Sequence, residues 1–276
     1  MTPLAQTQPC SAPFDAIADR YDDIFTLSTI GQAQRAPVWR ELTKSFRPGD
    51  RIFEIGCGTG VDACFLAGRG MRVVACDSSA RMLGVAERRV TGSVKRGAKG
   101  SVQLRLVPAE QIAKLGGEGR FDGAFSNFGA LNCVEDIRRL AVDLAPLLRP
   151  GASALMCLMG PACLWEIWWY LLQGKRSKAF RRLHRGGVDA RLGDEAIVRV
   201  HYPSVRFMRR MFAPEFRLAR ITGIGVAVPP SYVERWASRF PSAVKFAMHA
   251  DSFLGRCPGV RMFADHLLLR FERTNV

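Results

Sequence analysis

From residue 51 to residue 158 the hydrophobic pattern moves back and forth between two periods. Short apolar runs of strand type occur as RIFEI at 51–55, MRVVAC at 71–76, VQLRLV at 102–107, FDGAFS at 121–126 and the stretch 152–158. Between them, apolar residues three and four apart predict helices over 60–67, 79–90 and 135–148. Ser78 or Ser79 is placed to cap the second, its hydroxyl accepting a first-turn amide. TGSVKRGAKG at 91–100 reads as a basic, glycine-rich loop, and Arg149, Pro150 and Gly151 as a turn. Strands alternating with helices fold as βαβ units with right-handed crossovers, so the expected core is a parallel sheet. Two helices, over 14–25 and 32–46, lead into it.

After Gly160 the rhythm breaks. Helices are expected over 164–173, 204–212, 231–240 and 243–254, strands over 196–201 and 218–228, and a closing apolar strand over 266–271. With no repeat and no long linker, one domain over 14–276 is expected, behind a loose, polar, Pro-rich tail over 1–13 that lacks the order of a signal peptide. Its expected parts are N-terminal helices (14–50), a cofactor-binding core (51–158), an inserted lid or acceptor region (159–216), and final strands with a helical insertion (217–276).

Composition adds constraints. The 276 residues are 48% hydrophobic and 24% charged, which is ordinary for a globular chain. A net charge of +15 favours anionic partners, although frequent use of Arg would produce the same figure. The eight cysteines form no CxxC pair and have no His-rich neighbourhood, so no metal site is expected. Several lie in apolar strands as small hydrophobes, which fits a reducing cytoplasm. The run 154–172 is long enough to cross a bilayer, but Gly160, Pro161 and Glu166 interrupt it. It reads as a buried strand followed by a helix, not as a transmembrane segment.

EIGCGTG at 54–60 ends a strand and opens a helix. Alternate glycines allow dihedrals closed to other residues and let the backbone approach a ligand. Asp77 ends the next strand, where a carboxylate accepts hydrogen bonds from both hydroxyls of a ribose. A dinucleotide loop carries its third glycine one residue later and receives a pyrophosphate. Here Glu54 precedes the first glycine, where it would repel a pyrophosphate but suits a cationic amino group.

These residues resemble the (D/E)xGxGxG motif of the class I S-adenosylmethionine-dependent methyltransferases. FDAIADRYD at 14–22 looks like the helix that precedes the core in quinone-biosynthesis-type methyltransferases, whose Tyr reaches the cofactor. VPAE at 107–110 matches the loop framing the adenine; Pro108 stands where the family usually has Asp, which leaves the adenine amino contact to Glu110 or to backbone. SNFG at 126–129 falls at the end of the fourth strand, facing the methyl donor. The resemblance implies an α/β, Rossmann-like sheet of seven strands, six parallel and the last, 266–271, antiparallel, with helical insertions as a lid. It also implies S-adenosylmethionine as cofactor, held by Tyr21, Glu54, Gly56, Cys57, Gly58, Gly60, Asp77, Ser78, Met82, Ala109, Glu110, Asn127 and Phe128.

Methyl transfer to a sulfonium-activated carbon needs mainly alignment and exclusion of water. A base is required only for an acceptor of high pKa. His201 and Tyr202, at the end of the inserted strand, are the candidate pair, though a structural or solvated role suits any one histidine here better than a catalytic one. The preferred acceptor is a small, hydrophobic or amphiphilic molecule, with Trp165, Trp168 and Trp169 lining its pocket. The alternative is an RNA or protein acceptor drawn by the basic surface. Against RNA, SNFG lacks the prolines of the (D/N/S)PP(Y/F) motif, and no appended RNA-binding module is recognisable. The basic run 175–185 suits either a solvated face or peripheral contact with anionic lipid.

Overall fold

The computed structural model describes residues 12–184, 186–193 and 196–275. Strands β1 (Arg51–Ile55), β2 (Arg72–Asp77), β3 (Ser101–Leu106), β4 (Phe121–Ser126), β5 (Leu148–Met159), β8 (Phe216–Ile224) and β9 (His266–Arg273) form one seven-stranded sheet in the order β3-β2-β1-β4-β5-β9-β8. β1 to β5 pair in parallel. β9 runs antiparallel to both β5 and β8, so six strands share one direction and β9 lies inside the sheet. β6 (Val188–Leu192) and β7 (Ala196–Val200) form a separate antiparallel hairpin.

Period-two alternation makes the sheet apolar on both faces, as covered parallel strands require. Phe53 and Ile55 enter one core, with Val74, Ala154 and Met156, under α4 (Ile137–Leu144) and α7 (Val205–Phe212). Ile52 enters the other, with Val73, Phe125 and Leu155, under α1 (Thr29–Ser45) and α2 (Val61–Ala67). A third, smaller cluster joins Ile30 and Ala33 of α1 to Val228, to Ala237 of α8 (Glu234–Ala237) and to Val244 of α9 (Pro241–Leu254).

Several elements depart from expectation. Helix α3 (Ala80–Lys95) continues through the predicted loop, because Ser79 caps its start and its end closes at Gly97 (φ +77). There the Ala98 amide reaches the Ser93 carbonyl at 3.2 Å. The turn expected at 149–151 is a bulge inside β5, where pairing to β4 jumps from Phe121↔Leu148 to Gly123↔Ser153. The helix expected over 14–25 is a 3-10 segment, Pro13–Arg20, followed by a π-type turn, Asp22–Thr26. The strand expected over 218–228 stops at Ile224, since Asp251 takes the amides of Gly225 and Val228 at 3.1 and 3.3 Å. The helix expected over 231–240 is a 3-10 turn, Ser231–Val233, and then α8. The strand expected near 196–201 needed a partner, and VDARL, polar at alternate positions, gave little apolar signal for β6. Of the tail read over 1–13, residues 1–11 lie outside the described residues, and Pro13 already belongs to the 3-10 segment. The run 154–172 divides as read, into β5 and helix α5 (Leu164–Leu172), and no helix among the described residues is long and apolar enough to cross a membrane.

Candidate active site

The sheet order reverses at β1, which lies between β2 and β4, and α/β sheets open a crevice at the carboxyl ends of strands beside such a point. A cleft of about 260 Å³ lies there. Its lining includes Tyr21, Gly56, Gly58, Asp77, Ser78, Met82, Ala109, Glu110, Asn127 and Phe128. Pro13, Phe14, Ala130, Cys133, Val134 and Val198 complete the wall without having been singled out in the sequence.

The glycine loop shows why three glycines are used. Gly56, Gly58 and Gly60 all have positive φ, at 70°, 52° and 73°. A Cβ on Gly56 would meet Ala130 Cβ at 2.4 Å, and one on Gly60 would meet Ala86 Cβ at 3.0 Å. A Cβ on Gly58 would meet nothing within 4 Å, so at that position the backbone is open to the cleft. The Gly58 amide donates to Asp77 Oδ2 at 2.8 Å, and the Ser79 amide donates to Oδ1 at 2.9 Å. Burial raises the Asp77 carboxyl, and these amides oppose that shift.

Glu54 is buried beneath the loop, and its Oε2 has no hydrogen-bond partner. Burial and the Asp62 charge raise its carboxyl well above the usual range, against the pull of Arg35. Asp62 is the centre of a buried network. Arg35 Nη1 and Trp39 Nε1 donate to it at 2.6 Å each, and Asn127 Nδ2 at 2.9 Å. The Arg35 guanidinium also lies 4.7 Å from the Phe128 ring centroid. Phe128, at φ +45, is the one non-glycine residue with positive φ among the described residues. Its amide donates to Asn127 Oδ1 at 3.0 Å, and Phe25 meets its ring edge-on at 5.1 Å. Strained backbone held by packed neighbours is common in binding sites.

The N-terminal segment is fastened over the loop. Thr59 Oγ1 donates to Asp22 Oδ1 at 2.8 Å, Arg89 pairs with Asp22 and donates to the Thr59 carbonyl at 2.9 Å, and Ser79 donates to Asp15. Tyr21 is thereby placed in the cleft wall, where desolvation by burial raises its phenol to about 12. Burial likewise raises the Cys133 thiol to about 11, so it stays protonated near neutrality.

Residues 52–151, from β1 through the bulge of β5, match the family model described as Methyltransferase domain. Over those residues the chain is similar to the class I S-adenosylmethionine-dependent methyltransferases. It is similar, at 33% identity over 150 residues, to a demethylmenaquinone methyltransferase of Clavibacter sepedonicus, an alignment covering 53% of this chain and 56% of that protein. The chain thus spans about half the length of the curated relatives it matches. In fold it resembles the magnesium protoporphyrin IX methyltransferase of Synechocystis PCC 6803 solved with bound SAH, at a TM-score of 0.59 and 17% identity, covering 95% of this chain and 96% of the other. It also resembles the geranyl diphosphate C-methyltransferase of Streptomyces coelicolor A3(2), at a TM-score of 0.54 and 15% identity, covering 87% and 76%.

Other residues singled out in the sequence fall outside the cleft wall. Glu54, Cys57 and Gly60 lie under or behind the loop. His201 is held by its main chain, its amide donating to the Asn132 carbonyl at 2.7 Å and its carbonyl accepting from Asn132 Nδ2 at 2.6 Å. Tyr202 lies under the Arg182 guanidinium at 5.4 Å, and burial raises its phenol, so it is not poised to accept a proton. The hairpin reaches the cleft through Val198 instead. Trp165 and Trp168 line a different, predominantly apolar groove of about 580 Å³, and Trp169 packs towards Tyr232 at 6.3 Å.

Proposed function

We propose that this protein methylates a small hydrophobic or amphiphilic acceptor, using S-adenosylmethionine held in the cleft at the ends of β1, β2 and β4. The observation that carries the cofactor assignment is the unpartnered, buried Oε2 of Glu54 beneath a loop that is open at Gly58. A buried carboxylate oxygen without a partner is costly, and a cationic amino group relieves that cost. Asp77 in the cleft wall, with Glu54 and Asp62 buried behind the loop, makes the cleft floor acidic in a chain of net charge +15, with Arg35 already engaged by Asp62. That floor suits a cationic cofactor and disfavours a pyrophosphate. Bound there, S-adenosylmethionine supplies an activated methyl group and a neutral leaving group.

The chain's own residues would bind and align. Asp77 keeps lone pairs for ribose hydroxyls beyond its two amide bonds. Met82, Ala109 and Glu110 would frame the base, and Tyr21, Asn127 and Phe128 would close the methyl-donor side. The wall offers no ready proton acceptor at His201 or Tyr202, so catalysis would rest on proximity and exclusion of water. Similarity to demethylmenaquinone methyltransferases supports a quinone-like or otherwise lipid-like acceptor. The cationic segment after α5, of which residue 185 lies outside the described residues, is proposed to meet anionic lipid where such an acceptor resides.

Calorimetric titration with S-adenosylmethionine tests the cofactor. Gly58→Arg, which fills the open side of the loop, should abolish binding, and Asp77→Ala should weaken it. Unchanged affinity in both variants would sink the assignment. Methyl-labelled cofactor incubated separately with lipid extract, RNA and protein should label the lipid fraction; label confined to RNA would overturn the acceptor class.

A further inference from the structure

Outside the cleft, the most unusual surface lies between α5 and α9. A groove of about 580 Å³ runs there, lined only by apolar side chains, among them Leu164, Trp168, Trp236, Val244 and Phe246. Its lining is strongly exposed at Phe246 (77%) and Trp168 (52%), and Phe240, whose ring lies 5.4 Å from that of Trp236, and Leu172, one turn on from Trp168 in α5, are exposed by 51% and 67%. A monomeric soluble surface rarely leaves that much contiguous aromatic area to water.

Charge around the groove is one-sided. Lys175, Arg176 and Lys178 follow α5, Arg235 and Arg239 flank Trp236, and Lys245 belongs to α9; all are exposed. None of these cations lies within salt-bridge distance of a carboxylate among the described residues. Every carboxylate of segments 160–184 and 225–264 is turned inward. Glu166 is buried against Arg181 and Arg182. Glu234 accepts the Thr29 and Ile30 amides at 2.7 and 2.9 Å, and Asp251 accepts amides of the 225–228 loop. The face therefore presents an apolar centre and a cationic rim with no exposed acid between them.

We infer that this face docks on a bilayer surface containing anionic lipid, with Trp236, Phe240 and Phe246 entering the headgroup–acyl boundary and the six cations meeting lipid phosphates. Charge decides the occupant. A second copy on a two-fold axis would set this rim against itself, cation against cation, between molecules that each carry +15. RNA would find phosphate partners, but the groove offers no polar side chain to read or orient a base. The inference deepens, and rests on, the lipid contact proposed above for the segment after α5, and it stands independently of the cofactor assignment.

Co-sedimentation of the full chain with vesicles of phosphatidylcholine, and of phosphatidylcholine with phosphatidylglycerol, tests it. Binding should favour the anionic vesicles at least about tenfold and fall as salt shortens the screening length. Lys175→Glu with Lys178→Glu should lower partitioning by about fivefold or more per site. Phe246→Ser with Trp236→Ser should lower it about tenfold at constant salt, and lipids brominated in their tails should quench tryptophan emission less in that variant. Equal binding to both vesicle types would overturn the proposal, as would aromatic variants that bind like the parent. A concentration-dependent dimer that Phe246→Ser dissolves would assign the groove to a second copy, and RNA that displaces the vesicles without loss in the aromatic variant would assign the charge to nucleic acid. S-adenosylmethionine titration of the same variants should be unchanged, which separates failure at this face from failure of the cleft.

Discussion

Glu54 is protonated in the fold over a pH range where an unfolded glutamate, with a pKa of about 4.3, has ionised. The folded state holds that proton more tightly, so this residue's contribution to stability is greatest at low pH and declines as pH rises through the raised value. A bound cation reverses the preference. S-adenosylmethionine binding should therefore release a proton, and affinity should rise with pH until Glu54 is ionised in the free protein. Titration in buffers of different ionisation enthalpy should show that release in the parent and not in Glu54→Gln, whose affinity should be about 10 to 100-fold weaker, the loss of one charge-assisted hydrogen bond. Identical proton release in both would remove Glu54 from the binding site. Gly56, Gly58, Asp77 and Glu54 were legible because each sits at a fixed offset from a strand end. Arg35 and Asp62 were not, because Arg35 acquires its meaning only by meeting Asp62 on a helix of its own 27 residues later.

Helix α5 shows how an insertion is attached to the sheet. Its one acid, Glu166, is 1% exposed and accepts from Arg181 and Arg182 at 2.6 and 2.9 Å. Arg182 continues to the Asp265 carbonyl and carboxylate, at 2.9 and 2.7 Å, at the foot of β9. Glu166→Gln leaves Arg182 short of a buried charge partner and should cost about 3–5 kcal/mol in chemical denaturation. Amide exchange should accelerate in α5 and the segment that follows it, with β1 and β4 unchanged; uniform acceleration would mean the network is not a local anchor. Burial raises the Asp265 carboxyl, but His266 and Arg182 outweigh it and hold the group well below the usual carboxylate range. Its contribution is complete above about 3.9, the unfolded value, and is lost as pH falls below that. The same junction should then loosen first in acid, which near-ultraviolet circular dichroism of the α5 tryptophans would register. Glu166 read in the sequence only as an interruption of a hydrophobic run, since neither arginine nor Asp265 is its neighbour along the chain.

At the scale of the molecule, a ligand held by the N-terminal segment, β1, β2 and β4 together stabilises the whole fold. S-adenosylmethionine at a hundredfold excess over its Kd should add about 2.7 kcal/mol, raising Tm by roughly 5–10 °C for a chain of this size. Asp77→Ala should show a smaller rise at the same concentration. A full rise in that variant would place the ligand elsewhere. The two clefts also divide the charge of the protein: an acidic floor where a cation is expected, and a cationic rim where anionic lipid is expected.

The linear order of residues was enough to determine the parallel core, the glycine loop and the acid one strand later, while the direction of the last strand was implied only by the family resemblance. The first three depend on backbone dihedrals, side-chain period and strand-end offsets, all of which are local. Tertiary structure alone decided that β9 lies between β5 and β8, that His201 is tied to Asn132 while Val198 reaches the cleft, and that Trp165 and Trp168 face a groove apart from it. Each of these is a contact between segments tens of residues apart, set by how the packed layers meet, and no local pattern encodes which distant surface a side chain will find.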